Sequence, residues 1–191
     1  MANGRTVNAF LSLRLPPPLV DALVALQREQ RERVEPQDPE RMHVTLGFLH
    51  DADAARLADA AALLSTGDWT APRVRLTGEV RHGSWALQKD PAYRHDARTV
   101  QSQEQVRLGI EHTPELATLY DGTARRLGVA EEDFWPHLTL GLAKHDFPAA
   151  EAEALDLPST TETASVVELQ QELSVTDFRA LVHRPLTGAE L

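Results

Sequence analysis

The sequence predicts a mixed α-and-β fold made of two copies of one β-α-β-α-β unit. Two observations carry this reading. The hexapeptides HVTLGF (43–48) and HLTLGL (137–142) share the pattern His, apolar, Thr, Leu, Gly, apolar, 94 residues apart. The elements around them recur in the same order, so the repeat covers about 70 residues rather than six letters.

The elements follow in turn. TVNAFLSLRL is an apolar run suited to a largely buried strand. Pro16, Pro17 and Pro18 end it and open a helix, where proline fits the first turn. Leu19, Val20, Leu23, Val24 and Leu26 then recur at helical spacing, and the charged REQRER closes the segment near Arg33. A loop, EPQDPER, leads to the first motif, which is too short and β-branched for a helix. Residues 53–64 are Ala- and Leu-rich and predict a second helix, and RVRLTGEV (73–80) alternates as a strand.

The second copy repeats this. QVRLGIEH (105–112) predicts a strand, and Thr113, Pro114 and Glu115 are helix-start signals. Leu116, Leu119, Ala124 and Leu127 form the apolar stripe, with Gly128 as the stop. FWPHLTLGL is the second motif strand, 147–155 a short helix, and ASVVELQQELS a strand that pairs with a final strand, DFRALVHRPL. The lobe-forming repeats span about 5–80 and 104–185 of one domain covering 1–191. Residues 81–103 lack periodicity and predict a long loop or insertion. This segment carries Arg81, Lys89, Arg94 and Arg98 with His82 and His95, so it is either a solvated excursion or a basic flap presenting Trp85 or Tyr93 to a base.

Composition narrows the function. The 191 residues are 42% hydrophobic and 25% charged, ordinary for a globular protein. No apolar run suffices to cross a bilayer, and MANGRTVNAF has no signal-peptide pattern, so the expectation is a cytoplasmic protein with no membrane partner. With no cysteine, disulfides, thiolate metal sites and a cysteine nucleophile are excluded. The net charge of −10 argues against gripping duplex DNA and favours a small phosphorylated ligand or an RNA end.

Strand alternation puts His43, Thr45 and Gly47 on one face and Val44, Leu46 and Phe48 on the other. In the second motif His137, Thr139 and Gly141 oppose Leu138, Leu140 and Leu142. Two facing His/Thr pairs suit the opening of a cyclic phosphate. One imidazole takes a proton from water, the other gives one to the departing ribose oxygen, and the hydroxyls hydrogen-bond the phosphate oxygens. No cofactor or metal is called for. His50 with Asp51 and Asp53 matches no metal-site spacing and fits a helix N-terminus.

The residues His43-Val44-Thr45-Leu46 and His137-Leu138-Thr139-Leu140 resemble the motifs of the two-histidine (2H) phosphoesterase superfamily. The likeness is to its LigT-like branch of RNA 2′,3′-cyclic phosphodiesterases, also called 2′-5′ RNA ligases. AFLSLRLPPPLVDAL, VRLGIEHTPELATL and WPHLTLG extend the resemblance over most of the chain except 81–103. It implies an α+β, bilobal fold in which duplicated units place antiparallel sheets about a central cleft.

The resemblance also implies hydrolysis of 2′,3′-cyclic phosphate ends of RNA or nucleotides to 2′-phosphates, with RNA ligation as the reverse reaction. His137 would activate water, His43 would protonate the 3′ oxygen, and Thr45 and Thr139 would hold the phosphate. Phe10 matches an aromatic of the family's first strand, near the base or in the core. The family often has Arg where this chain has Asn8 and Leu142. Arg41 and Lys144 are the candidate replacements, and Trp135 the candidate floor of the cleft. Alternatives are a 2H phosphodiesterase acting on 2′-5′-linked oligonucleotides or other cyclic nucleotides, and a non-catalytic nucleotide- or RNA-end-binding module. A monomer is expected.

Overall fold

The computed structural model describes residues 6–83, 104–144, 148–174 and 177–188. Within them lie β1 (Val7–Arg14), α1 (Pro17–Glu29), β2 (Val34–Pro36), a 3-10 turn (Pro39–Arg41), β3 (His43–Ala52), α2 (Ala54–Thr66) and β4 (Arg73–Gly83). After these come β5 (Gln105–Ile110), α3 (Pro114–Tyr120) running into a π turn (Asp121–Arg125), β6 (His137–Ala143), α4 (Ala149–Glu153), β7 (Thr161–Thr163), β8 (Val166–Ser174) and β9 (Asp177–Pro185). The fold is α+β, as the resemblance implies.

Local chemistry explains the helix ends. Pro17 and Pro18 occupy the first turn of α1, whose Leu19, Leu23, Leu26 and Gln27 are buried. The Asp53 carboxylate accepts from the Arg56 amide to cap α2, and the Thr113 hydroxyl accepts from the Leu116 amide to cap α3. Gly128, at φ 68°, takes the left-handed conformation that ends the helical run. Three short elements have no periodic signature in the sequence: β2, the 3-10 turn and β7.

The strands form two antiparallel sheets, in the orders β3-β1-β8-β9 and β2-β6-β5-β4-β7. These do not follow the sequence halves. β1 of the first half pairs with β8 of the second, and β5 and β6 of the second half pair with β4 and β2 of the first. Each lobe thus takes two strands from the other half of the chain, β8 and β9 in one sheet and β2 and β4 in the other. Helices cross over too. α1 packs on β2 and β6, while the π turn of the second half packs on β3.

One apolar core serves both sheets, running through Leu11, Leu13, Leu19 and Leu46 to Leu108, Leu138, Leu140 and Leu169. The strand predicted over 73–80 extends to Gly83, so Arg81 and His82 belong to β4 rather than to a loop. Trp85, Lys89, Tyr93, Arg94, His95 and Arg98 lie outside the described residues.

Candidate active site

Each motif departs from simple alternation at one step, and β3 has a second irregularity beyond it, between Leu49 and Ala52. In β3, Thr45 pairs with Ser12 but Gly47 with Leu11, which leaves Leu46 as an extra residue. In β6, Thr139 pairs with Arg107 but Gly141 with Val106, which leaves Leu140 extra. A bulge shifts the period-2 register beyond it. The face reading therefore holds for His43 and Thr45, and for His137 and Thr139, but is reversed beyond. Phe48 and Leu142 return to the histidine face, and the glycines turn inward.

The glycines are small because they meet other elements, not to leave room beside the histidines. A Cβ on Gly47 would lie 2.8 Å from Val129 Cγ2 and 3.1 Å from Ala124 Cβ. On Gly141 it would lie 2.2 Å from the Glu35 carbonyl oxygen. The bulge carbonyl of Leu140 is not stranded, since the Gln27 side chain donates to it at 2.7 Å.

The two histidines are held alike. His43 Nδ1 lies 2.7 Å from the Arg41 carbonyl oxygen, and His137 Nδ1 lies 2.8 Å from that of Trp135. A carbonyl only accepts, so each Nδ1 carries the hydrogen and each Nε2 is the nitrogen open to proton transfer. His43 Nε2 lies 3.1 Å from the Thr45 hydroxyl. Aromatic rings fix both imidazoles. Phe10 stacks on His43 at 5.1 Å and Phe178 meets it edge-on at 5.6 Å. Trp135 stacks on His137 at 4.7 Å, and its Nε1 donates to Glu79 at 2.9 Å.

Burial holds His137 well below its ordinary value of 6.5, to about 4. The Trp135 carbonyl opposes this, and Arg107, His43 and Arg81 add to it. Burial also lowers His43, against the Arg41 carbonyl and the Glu168 carboxylate, which both favour its charged form. The motif strands β3 and β6 contact each other, and the charge of His43 is felt at His137.

The other expected contacts divide. Trp135 lies against His137 with the Arg81 guanidinium 3.8 Å from its ring centre. Arg41 stands beside the His43 lobe, 3.1 Å from Asp177. With Arg14, Asp38, Glu40, Glu168, Gln170, Phe178 and Ala180 it lines a hollow of about 230 Å³. Phe10 is only 2% exposed, covered by His43, Phe48 and Phe178, so it supports the imidazole and offers no face to a base. Lys144 turns away, and its ammonium donates to the Arg31 carbonyl beyond α1. It does not replace a phosphate-binding arginine. Asn8 accepts from the Asp51 amide.

Two charged residues were missed at the sequence level, both inside apolar strands. Arg107 is 7% exposed, pairs with Thr139 and donates to Gln105 Oε1 through Nε and Nη2. Glu168, 3% exposed, pairs with Ser12 and accepts from Arg14 and Gln170. The only signal was a charge at an inward position of a strand.

The LigT-like phosphoesterase family model matches residues 13–86. No curated protein matches the chain in sequence. In structure it is similar to E. coli LigT complexed with 3′-AMP, at a TM-score of 0.62 and 19% identity over 96% of this chain and 99% of that one. The chain has the LigT fold. A protein of Thermus thermophilus shares it at a TM-score of 0.62 and 20% identity, over 96% and 100% of the two chains. Kluyveromyces marxianus Usb1 is more distant, at 0.50 and 12% over 95% and 99%. The family-model match covers the first motif strand, and the likeness in fold extends over both antiparallel sheets. Among the described residues, no helix is long and apolar enough to cross a membrane.

Proposed function

We propose that this LigT-fold chain is a metal-independent phosphodiesterase that opens 2′,3′-cyclic phosphate ends of RNA or nucleotides to 2′-phosphates. The observation that carries the reading is the matched tethering of the two imidazoles, with Nδ1 of each given to a backbone carbonyl and Nε2 left for chemistry. His137, held neutral at ordinary pH, takes a proton from water as the water oxygen bonds to phosphorus. The bond from phosphorus to the 3′ oxygen breaks, and His43 gives that oxygen its proton. Thr45 and Thr139 donate hydrogen bonds to the non-bridging oxygens as charge builds. Trp135 holds the base in place, and Arg41 borders the leaving-group side.

Acid, base and oxyanion donors are all supplied by side chains, so no step calls for a metal. E. coli LigT has been seen with 3′-AMP, with NADP+ and with ATP. These ligands support a nucleotide or RNA end as the ligand here, and the net charge of −10 speaks against long duplexes. RNA ligation would use the same cyclic phosphate with a 5′ hydroxyl taking the place of water, its oxygen bonding to phosphorus as the 3′ oxygen leaves, and it needs concentrated RNA ends.

The test is incubation, with chelator, of the protein with 2′,3′-cyclic mononucleotides, a cyclic-phosphate-ended RNA and a 2′-5′-linked dinucleotide. A 2′-phosphate from the cyclic substrates is expected. Cleavage of the 2′-5′ linkage alone would move the assignment to that substrate. Binding without product from any of them would make the chain a binding module.

A further inference from the structure

The two lobes are built alike but charged oppositely. Beside Thr45, the neighbouring strands place Ser12 on β1 and Glu168 on β8 in one cross-strand row. Beside Thr139, they place Arg107 on β5 and Arg81 on β4 at the equivalent positions. Directly paired residues share a face of a sheet. Glu168 and Ser12 therefore stand on the face of His43, and Arg81 and Arg107 on the face of His137.

We infer that these two rows give the histidine pair its direction: Glu168 makes His43 the proton donor, and Arg107 with Arg81 makes His137 the acceptor. The inference rests on the function proposed above for its consequence in turnover. Its physical content concerns the two imidazoles alone. Glu168 and Arg107 are positioning residues, acting through the histidines.

Other charges near each ring leave the sign unchanged. His43 faces Arg14 on β1, Glu168 on β8, and Arg41 with its partners Asp177 and Asp38. Arg14 and Arg41 reach water, whereas the Glu168 side chain is almost wholly buried. A buried charge is screened less than an exposed one and acts more strongly at the same distance. His137 faces Arg107, Arg81 and His43, with Glu79 paired to Arg81 and Glu131 acting on Arg107. Glu79 and Arg81 are both partly solvated, while Arg107 is buried. Positive charge prevails at His137 and adds to the lowering that burial imposes, whereas negative charge at His43 opposes the lowering by burial there.

The experiment is an NMR titration of both imidazoles in the whole protein, with kcat and KM on 2′,3′-cyclic CMP measured across pH in the same samples. Glu168→Gln is expected to lower the His43 midpoint by about one pH unit, and Glu168→Asp to leave it near wild type. Arg107→Met is expected to raise the His137 midpoint by a similar amount, and Arg107→Lys to restore it. Glu168→Gln should reduce kcat with KM little changed. Arg81→Gln, on a partly solvated side chain, should raise the His137 midpoint less, and it decides the matter should a buried variant unfold. Unmoved midpoints in folded variants overturn the inference even where turnover is robust. Midpoints that move as stated uphold it even where no cyclic phosphate is hydrolysed, in which case the proposed function falls instead.

Discussion

Leu46 and Leu140 are the extra residues of two bulges set at the same step of the two motif strands, one residue beyond each threonine. The matched bulges bring the fifth residue after each histidine back to the cleft face. In β3 that residue is Phe48, whose ring centre is 5.4 Å from that of Phe10. In β6 it is Leu142, paired with Gln105. An arginine at Leu142 would reach the site from the same face as His137. Leu142→Arg is expected to lower KM for a cyclic-phosphate-ended RNA several-fold with kcat little changed, as steady-state kinetics will show.

The inward-turned glycines predict a stability order. At Gly141 a Cβ would lie 2.2 Å from the backbone carbonyl oxygen of Glu35, whereas at Gly47 the nearest atom is the Val129 side chain at 2.8 Å, with the Val129 carbonyl oxygen at 3.1 Å. Gly141→Ala should cost about 1–3 kcal/mol in denaturant unfolding, the range of overpacking, and Gly47→Ala less. Val129→Ala should offset part of the Gly47→Ala loss.

The low values of both histidines set a pH dependence of stability. Unfolded histidine takes its proton near 6.5, whereas folded His137 resists until about 4 and folded His43 also lies below 6.5. Between those values the unfolded chain binds more protons, so stability is full above 6.5 and declines as pH falls toward 4. His137→Gln should flatten that slope in urea unfolding measured at successive pH values. In turnover the same values place the maximum of kcat/KM on the acid side of neutrality, rising near pH 4 with His137 and falling below 6.5 with His43.

Trp135 shields His137 and anchors through Glu79. Trp135→Ala admits water to the imidazole and lifts the burial that depresses it. The rising limb of the kcat/KM profile should move to higher pH, and kcat should fall. Trp135→Phe keeps the stacking and should retain most of kcat.

Phe10 is a support and not a base-stacking surface. Phe10→Ala should cost about 3–5 kcal/mol, as for other buried aromatics, and lower kcat by loosening His43. Phe10→Leu should recover much of the stability but less of the rate. A loss confined to KM would instead make Phe10 a ligand contact.

How far the sequence reaches can be judged from particular residues. Strand and helix positions follow from period and punctuation. Pro17, Asp53, Thr113 and Gly128 each act where local chemistry places them. The His/Thr pairing is legible because alternation holds from His43 to Thr45 and from His137 to Thr139. It fails at Leu46 and Leu140 because period 2 has no term for an inserted residue, and both are ordinary apolar strand residues. Arg107 and Glu168 were hidden because their meaning lies in cross-strand neighbours, which only register supplies. Lys144 was misleading for the converse reason: closeness in sequence to the motif says nothing of where a long side chain turns.

The crossed strands bear on how the protein comes to exist at all. A chain severed between Gly83 and Glu104 gives two pieces, and neither holds a complete lobe, since β2 and β4 must leave the first piece and β8 and β9 the second. Assembly must await pairings between distant parts of the chain, a topology that folds slowly for its size. The same interlock ties β3 and β6, which carry the two histidines, into sheets that both halves of the chain build together.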